Sequence, residues 1–250
     1  MKLLVVVLCL LSERFLIHTA SYQRFYWFGD YCLFIKNIID KDSFFTNPWM
    51  ILAATVLPII LVTSIIYFLL FHILFGFLGL IFSIILFLYC LGPQNAFYPV
   101  SAPSSESSAK TLVGDYFAQV NRQLFSVIFW YIVAGPIAVL TYRLITLCRD
   151  ISSISQQANQ VTNIVEWIPA RLSSLLFLLV GNFQRGFLLF TGLFFSKPEL
   201  NSQLLSTCGL QAVRTSESDE IPLPVAESLV EHATIVFMVL IALFTLVAWL

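Results

Sequence analysis

Charge is what this 250-residue sequence has least of: 11% of its residues are Asp, Glu, Lys or Arg, against 59% hydrophobic. Soluble domains carry about 25% charged and roughly 45–50% apolar residues, so a water-soluble globule is excluded. With a mean hydropathy of +0.89 the chain reads as a membrane protein whose first partner is the lipid bilayer. Its 13 basic and 14 acidic residues are scattered and nearly cancel, which leaves no basic face for nucleic acid.

Chemical motifs are scarce too. The chain has no G-x-x-x-x-G-K-[ST] phosphate loop, no G-x-G-x-x-G turn and no G-x-S-x-G elbow, and each absence weakens one enzyme class. Cys9, Cys32, Cys90, Cys148 and Cys208 form no C-x-x-C pair and read as small apolar filler. His18, His72 and His232 are far apart, with no H-E-x-x-H spacing, so neither a metal nor another cofactor is expected.

What the chain has in abundance is long apolar runs. The first, Leu3 to Leu11, ends at Glu13 and Arg14 and reads as a retained membrane helix over about 3–20 rather than a cleaved signal. Between Pro48 and Leu91 no charge occurs, and the length suits two spans, 49–70 and 72–91, with Pro58 kinking the first. A Pro- and Ser-rich loop, 92–110, leads to an amphipathic helix on which Leu112, Val113, Tyr116, Phe117, Val120 and Leu124 recur at helical spacing. A third span follows at 124–143, with Gly135-Pro136 as its kink.

The second half is less regular. Ile151, Ile154, Ala158, Val161, Val165 and Ile168 form a short heptad-like stripe suited to lying on the membrane surface or another helix. Pro169 then starts a new helix between the interface-seeking Trp167 and Arg171. The run 172–195 is long enough to span, but Arg185 near mid-membrane costs about 2.5–3.5 kcal/mol, which favours two half-helices broken near Gly181-Asn182 or a shielded helix. A polar, acidic loop over 196–231 precedes a terminal anchor, 233–250. The expected architecture is an all-α polytopic membrane protein, a single membrane domain of four or five transmembrane helices plus amphipathic interfacial helices.

Charge beside hydrocarbon is costly and tends to be paired or functional, which singles out Glu13, Arg14, Arg122, Arg143, Glu166, Arg171 and Arg185. Of these, Glu13, Arg143, Glu166 and Arg171, with Trp167, are the expected site for a polar ligand or a partner, with no catalytic residue among them. Asn182, Gln184 and Arg185 form a separate intramembrane polar group, the one lead toward a transport path.

Three blocks carry a resemblance: LLSERF at Leu10 to Phe15, LFSVIFWYIVAGPIAVLTYRL at Leu124 to Leu144, and VEWIPARLSSLLFLLVG at Val165 to Gly181. Together they resemble the superfamily that joins AmpE to the CobD/CbiB cobalamin-biosynthesis proteins. The synthase branch has an Asn-Thr-Leu-Asp run after its Tyr-Arg and paired Asp residues ahead of its Trp. Here Leu144-Ile145-Thr146-Leu147 follows Tyr142-Arg143, and Thr162 and Asn163 precede Glu166-Trp167. Ligation with ATP needs carboxylates to hold magnesium, so their loss argues against a CobD/CbiB-like ligase. Glu166-Trp167 and Glu13-Arg14-Phe15 instead resemble the AmpE branch. That resemblance implies a multi-pass protein of the bacterial inner membrane, tied to peptidoglycan recycling and β-lactamase induction, with the AmpD amidase or another cell-wall recycling protein as partner.

Overall fold

The computed structural model describes residues 5–7, 9, 25–39, 47–72, 77–91, 106–214 and 222–247. Eleven helices follow in order among them. They are α1 (Tyr26–Ile39), α2 (Pro48–His72), α3 (Phe77–Cys90), α4 (Glu106–Val120), α5 (Ser126–Ala134) and α6 (Pro136–Leu147), then α7 (Ser155–Val165), α8 (Trp167–Val180), α9 (Phe183–Leu193), α10 (Asn201–Val213) and α11 (Leu223–Val247). A π-helical turn, Asn121–Phe125, joins α4 to α5. The all-α expectation holds, and the chain divides into two compact units, one of residues 1–93 and 127–162, the other of 94–126 and 163–250.

Among the described residues two helices are long and apolar enough to cross a membrane, Pro48–Phe71 and Leu223–Val247. Counting the bent pair Ser155–Val165 and Trp167–Val180 as one broken span raises the number to three. Four or five spans were expected, and the run at 124–143 does not pass as one long helix for a local reason. Gly135 sits at φ 87°, where only glycine is comfortable, and Pro136 opens α6, so the run at 124–143 becomes two short helices. The break foreseen near Gly181-Asn182 is present, between α8 and α9. Helix α3 is apolar but only 14 residues long. Pro58, by contrast, is accommodated inside a continuous α2. The N-terminal helix expected at 3–20 lies largely outside the described residues, within which 5–7 and 9 are helical.

The polar loop expected over 196–231 requires correction. Helix α10 occupies its middle, because Leu204, Leu205, Cys208, Gly209 and Ala212 recur on one face and are buried. Pro198 and Glu199, in the turn ahead of it, are ordinary start signals that the surrounding Ser, Thr and Gln disguise. Helix α11 likewise begins at Leu223, ten residues ahead of the expected anchor, with Ala226, Leu229, Val230 and Ala233 buried along one side. At the other loop, 92–110, helix α4 already begins at Glu106.

In the first unit α6 packs against α2 and α3. Buried Tyr131 on α5 shares a hydrogen bond of 2.7 Å with Ser83 and an edge contact with Phe87, both on α3. The second unit is built around α8, which contacts α9, α10, α11 and the π turn. Phe177 of α8 sits 5.1 Å from Phe117 of α4 and 5.5 Å from Phe125 of the π turn, and Phe125 in turn meets Phe237 of α11. These rings form the core of that unit.

Close backbone approach completes the packing. A Cβ on Gly181 would lie 2.3 Å from the carbonyl oxygen of Ala212, which lets the Asn182 amide donate to that same oxygen at 2.9 Å. Gly181→Ala must therefore push the break away from the end of α10 and lower stability by about 1–3 kcal/mol. Gly192→Ala, where an added Cβ would meet none of the described neighbouring groups within 4 Å, should leave stability unchanged or slightly raised. Thermal unfolding of the two detergent-solubilised variants, side by side, tests the contrast; equal melting temperatures would refute it.

Candidate functional site

The stretch from Glu166 onward begins in a single-residue break. Helix α7 ends at Val165 and α8 starts at Trp167, with Pro169 in its first turn, where the missing N–H has no partner to lose. The Glu166 carbonyl accepts from the Ala170 amide at 2.8 Å, so the break is a bend within continuous hydrogen bonding. This fixes the Glu166 side chain in the interior, 3% exposed, where its carboxylate accepts from Arg122 Nε at 3.2 Å. The Arg122 side chain is 31% exposed. One charge of the pair is thus enclosed and the other reaches the surface.

Arg122 comes from the π turn. An α-helix separates neighbouring residues by about 100°, which would aim Asn121, Arg122 and Phe125 over a wide arc; the broader π turn alters that spacing. Here all three address α8: Asn121 Oδ1 accepts from Ser173 Oγ at 2.8 Å, Arg122 meets Glu166, and Phe125 meets Phe177. Asn121 is fully buried and its Nδ2 has no hydrogen-bond partner among the described residues; the same holds for the Ser126 hydroxyl. Extra residues of this kind recur at functional positions in helices.

Arg171 is bound differently. Its Nε donates to Phe194 O at 3.0 Å, one terminal nitrogen donates to Trp167 O at 3.0 Å and to Asn201 Oδ1, and the other donates to Ser196 O at 2.9 Å and Ser196 Oγ at 3.2 Å. A guanidinium has five N–H groups, and all five are used. The Trp167 ring lies 4.3 Å from the guanidinium carbon, and the indole N–H donates to Ser196 O. Asn201 in turn donates to Asn163 O at 2.8 Å. Arg171 therefore clasps the start of α8 to the end of α9 and the start of α10, with no N–H left for a ligand.

The expected site residues separate accordingly. Glu166, Trp167 and Arg171 share one turn of the second unit, Glu166 as half of an ion pair and the other two as parts of the clasp. Arg143 belongs to the first unit, where it is buried and donates through Nε to Cys90 O at the end of α3, 2.8 Å away. Glu13 lies outside the described residues. Of the intramembrane polar group, Asn182 is half-buried in the α8–α9 break, whereas Gln184 and Arg185 are exposed on α9. Among the described residues no group of three His, Cys, Asp or Glu is placed to hold a metal. Burial pushes the Cys208 thiol up to about 11, which keeps it an unreactive thiol at neutral pH.

Asn121 and Asn201 were missed by sequence reasoning. Asn121 falls on the polar side of an ideal helix drawn through 111–125, so only the π turn reveals its inward direction. Asn201 was readable, as the first residue of a helix announced by Pro198-Glu199.

Replacing Arg171 separates clasp from ligand site. Arg171→Ala removes five charge-assisted hydrogen bonds and should cost about 3 kcal/mol or more, and Arg171→Lys should recover little of it, because an ammonium offers three donors from one point. If Arg171→Lys melts with the unsubstituted protein, the clasp is not what holds this region.

A comparison with protein-family models matches residues 99–250 to the family described as "Regulatory signalling modulator protein AmpE". Searches of curated proteins and of solved structures find no match. The matched stretch is more than half of the chain and contains the whole Arg122–Glu166 and Arg171 arrangement; the chain belongs to the AmpE family.

Proposed function

We propose that this AmpE family member is a non-enzymatic sensory component of the bacterial inner membrane that links cell-wall recycling to β-lactamase induction. The family's description as a regulatory signalling modulator carries the reading. In it, α2, α3, the Gly135-broken pair α5 and α6, and α11 form four membrane segments. The working surface is the Glu166–Arg122 pair beside the π turn, and the partner is the AmpD amidase or another recycling protein.

The geometry supports that choice of surface. Arg171 is saturated, so it holds the region in shape and does not read a signal. Arg122 is half-exposed and ends on a buried carboxylate, so an anionic group arriving at the surface competes with Glu166 for the guanidinium. Such competition would alter the contact between the π turn and α8.

The test is β-lactam-induced β-lactamase activity in cells carrying Glu166→Gln or Arg122→Gln at the normal membrane level of the protein. Each should lower induction several-fold, and deletion of the chain should do the same. Unchanged induction on deletion would overturn the role; loss on deletion with normal induction in both variants would overturn only the site.

A further inference from the structure

Helix α9 is 11 residues long, a rise of about 16 Å, roughly half of the ~30 Å hydrocarbon core. Both of its ends are tied down. At its start the Asn182 amide is held by Ala212 O, and just beyond its end Phe194 O and Ser196 O accept from Arg171. It packs back on α8 and α10 through buried Gly186 and Phe190, so it cannot extend α8 into a straight span.

Its outer side is apolar where water would be expected. Leu188 is 79% exposed and Phe195, just past the helix, 87%, with Phe183 and Phe187 stacked at 4.8 Å alongside. Exposed cations flank these groups, Arg185 on the helix and Lys197 two residues beyond Phe195. Hydrocarbon beside cations fits one environment, the boundary between lipid acyl chains and phosphates. The same unit contains α11, a helix long and apolar enough to cross a membrane, so the unit has a second feature suited to a bilayer.

We infer that α9 and the turn to Lys197 form a single-leaflet element that does not cross the membrane. Leu188 and Phe195 enter the outer acyl region, and Arg185 and Lys197 bind lipid phosphates. This resolves the energetic conflict posed by Arg185, which sits at the headgroups instead of at mid-membrane. The ligand is a phosphate-bearing lipid surface, and the inference does not depend on the signalling role proposed above.

Nitroxide labels at Leu188→Cys and Phe195→Cys test it on the full chain in phosphatidylcholine vesicles with and without phosphatidylglycerol, with the signal of the unsubstituted protein subtracted. Both positions are exposed, and correct folding is checked by the parent's melting temperature. Oxygen should collide with both labels several-fold more often than a water-soluble nickel chelate, at a depth of about 5–10 Å below the phosphates. Adding Arg185→Glu and Lys197→Glu should raise chelate access to the Leu188 label several-fold; a larger rise with phosphatidylglycerol identifies anionic lipid as the preferred source of phosphate, and an equal rise assigns the contact to any phospholipid. Chelate collisions exceeding oxygen would place the face in water, and exclusion of both reagents would place it against protein, such as a second copy. A depth near the bilayer centre would make α9 part of a span. Any of these three overturns the inference, and no change on charge reversal overturns the role of the two cations.

Discussion

The second unit depends on the Arg171 guanidinium. Its five donors end on carbonyl and side-chain oxygens of residues 167, 194, 196 and 201, so one side chain joins the beginning of α8 to chain 23–30 residues further on. A helix end leaves carbonyls unfilled, and in an apolar environment water cannot supply the missing donors. A planar guanidinium satisfies several carbonyls at once and brings positive charge to the negative end of the helix dipole. The fold thus uses a costly charge to complete a backbone that would otherwise be incomplete.

Arg143 solves the same problem in the first unit. Helix α3 has no basic residue in its last turn, and its final carbonyl, on Cys90, receives the Nε–H of Arg143 from α6. Both arginines stand in the sequence blocks that resemble the AmpE family, and both act on helix ends. A protein with so few charges and so many short helices has many ends to cap, which accounts for arginines in apolar runs without invoking substrate.

Much of the architecture was legible. The uncharged stretch from Pro48, the Gly135-Pro136 break, the Gly181-Asn182 break and the helix start at Trp167 are each announced by local chemistry. The lengths of the individual helices were not, because hydropathy summed over 124–143 or 172–195 does not show that those runs are built from helices of 9 to 14 residues. Helix α10 was concealed by its composition: the small residues Cys208, Gly209 and Ala212 look like linker, yet Gly209 is what lets Phe117 approach, since a Cβ there would meet the ring at 2.3 Å. At the site, Glu166, Trp167 and Arg171 were found because charge in an apolar run is conspicuous. Their division of labour was not, since the saturation of Arg171 depends on carbonyls far along the chain.

The contrast between the two arginines of this unit bears on how such a protein can carry a signal. A group with every donor filled by its own backbone holds one arrangement, because moving it leaves several buried carbonyls unmet at once. Arg122 reaches Glu166 from a π turn, a helical geometry less favourable than the α form around it, and its side chain is partly exposed. A shift there alters the facing of Asn121, Arg122 and Phe125 together, since all three meet α8 through the same turn. The clasp residues Trp167 and Arg171 alternate along the chain with Glu166, Ser173 and Phe177, which the π turn meets, so both sets of contacts are carried by the same stretch of helix.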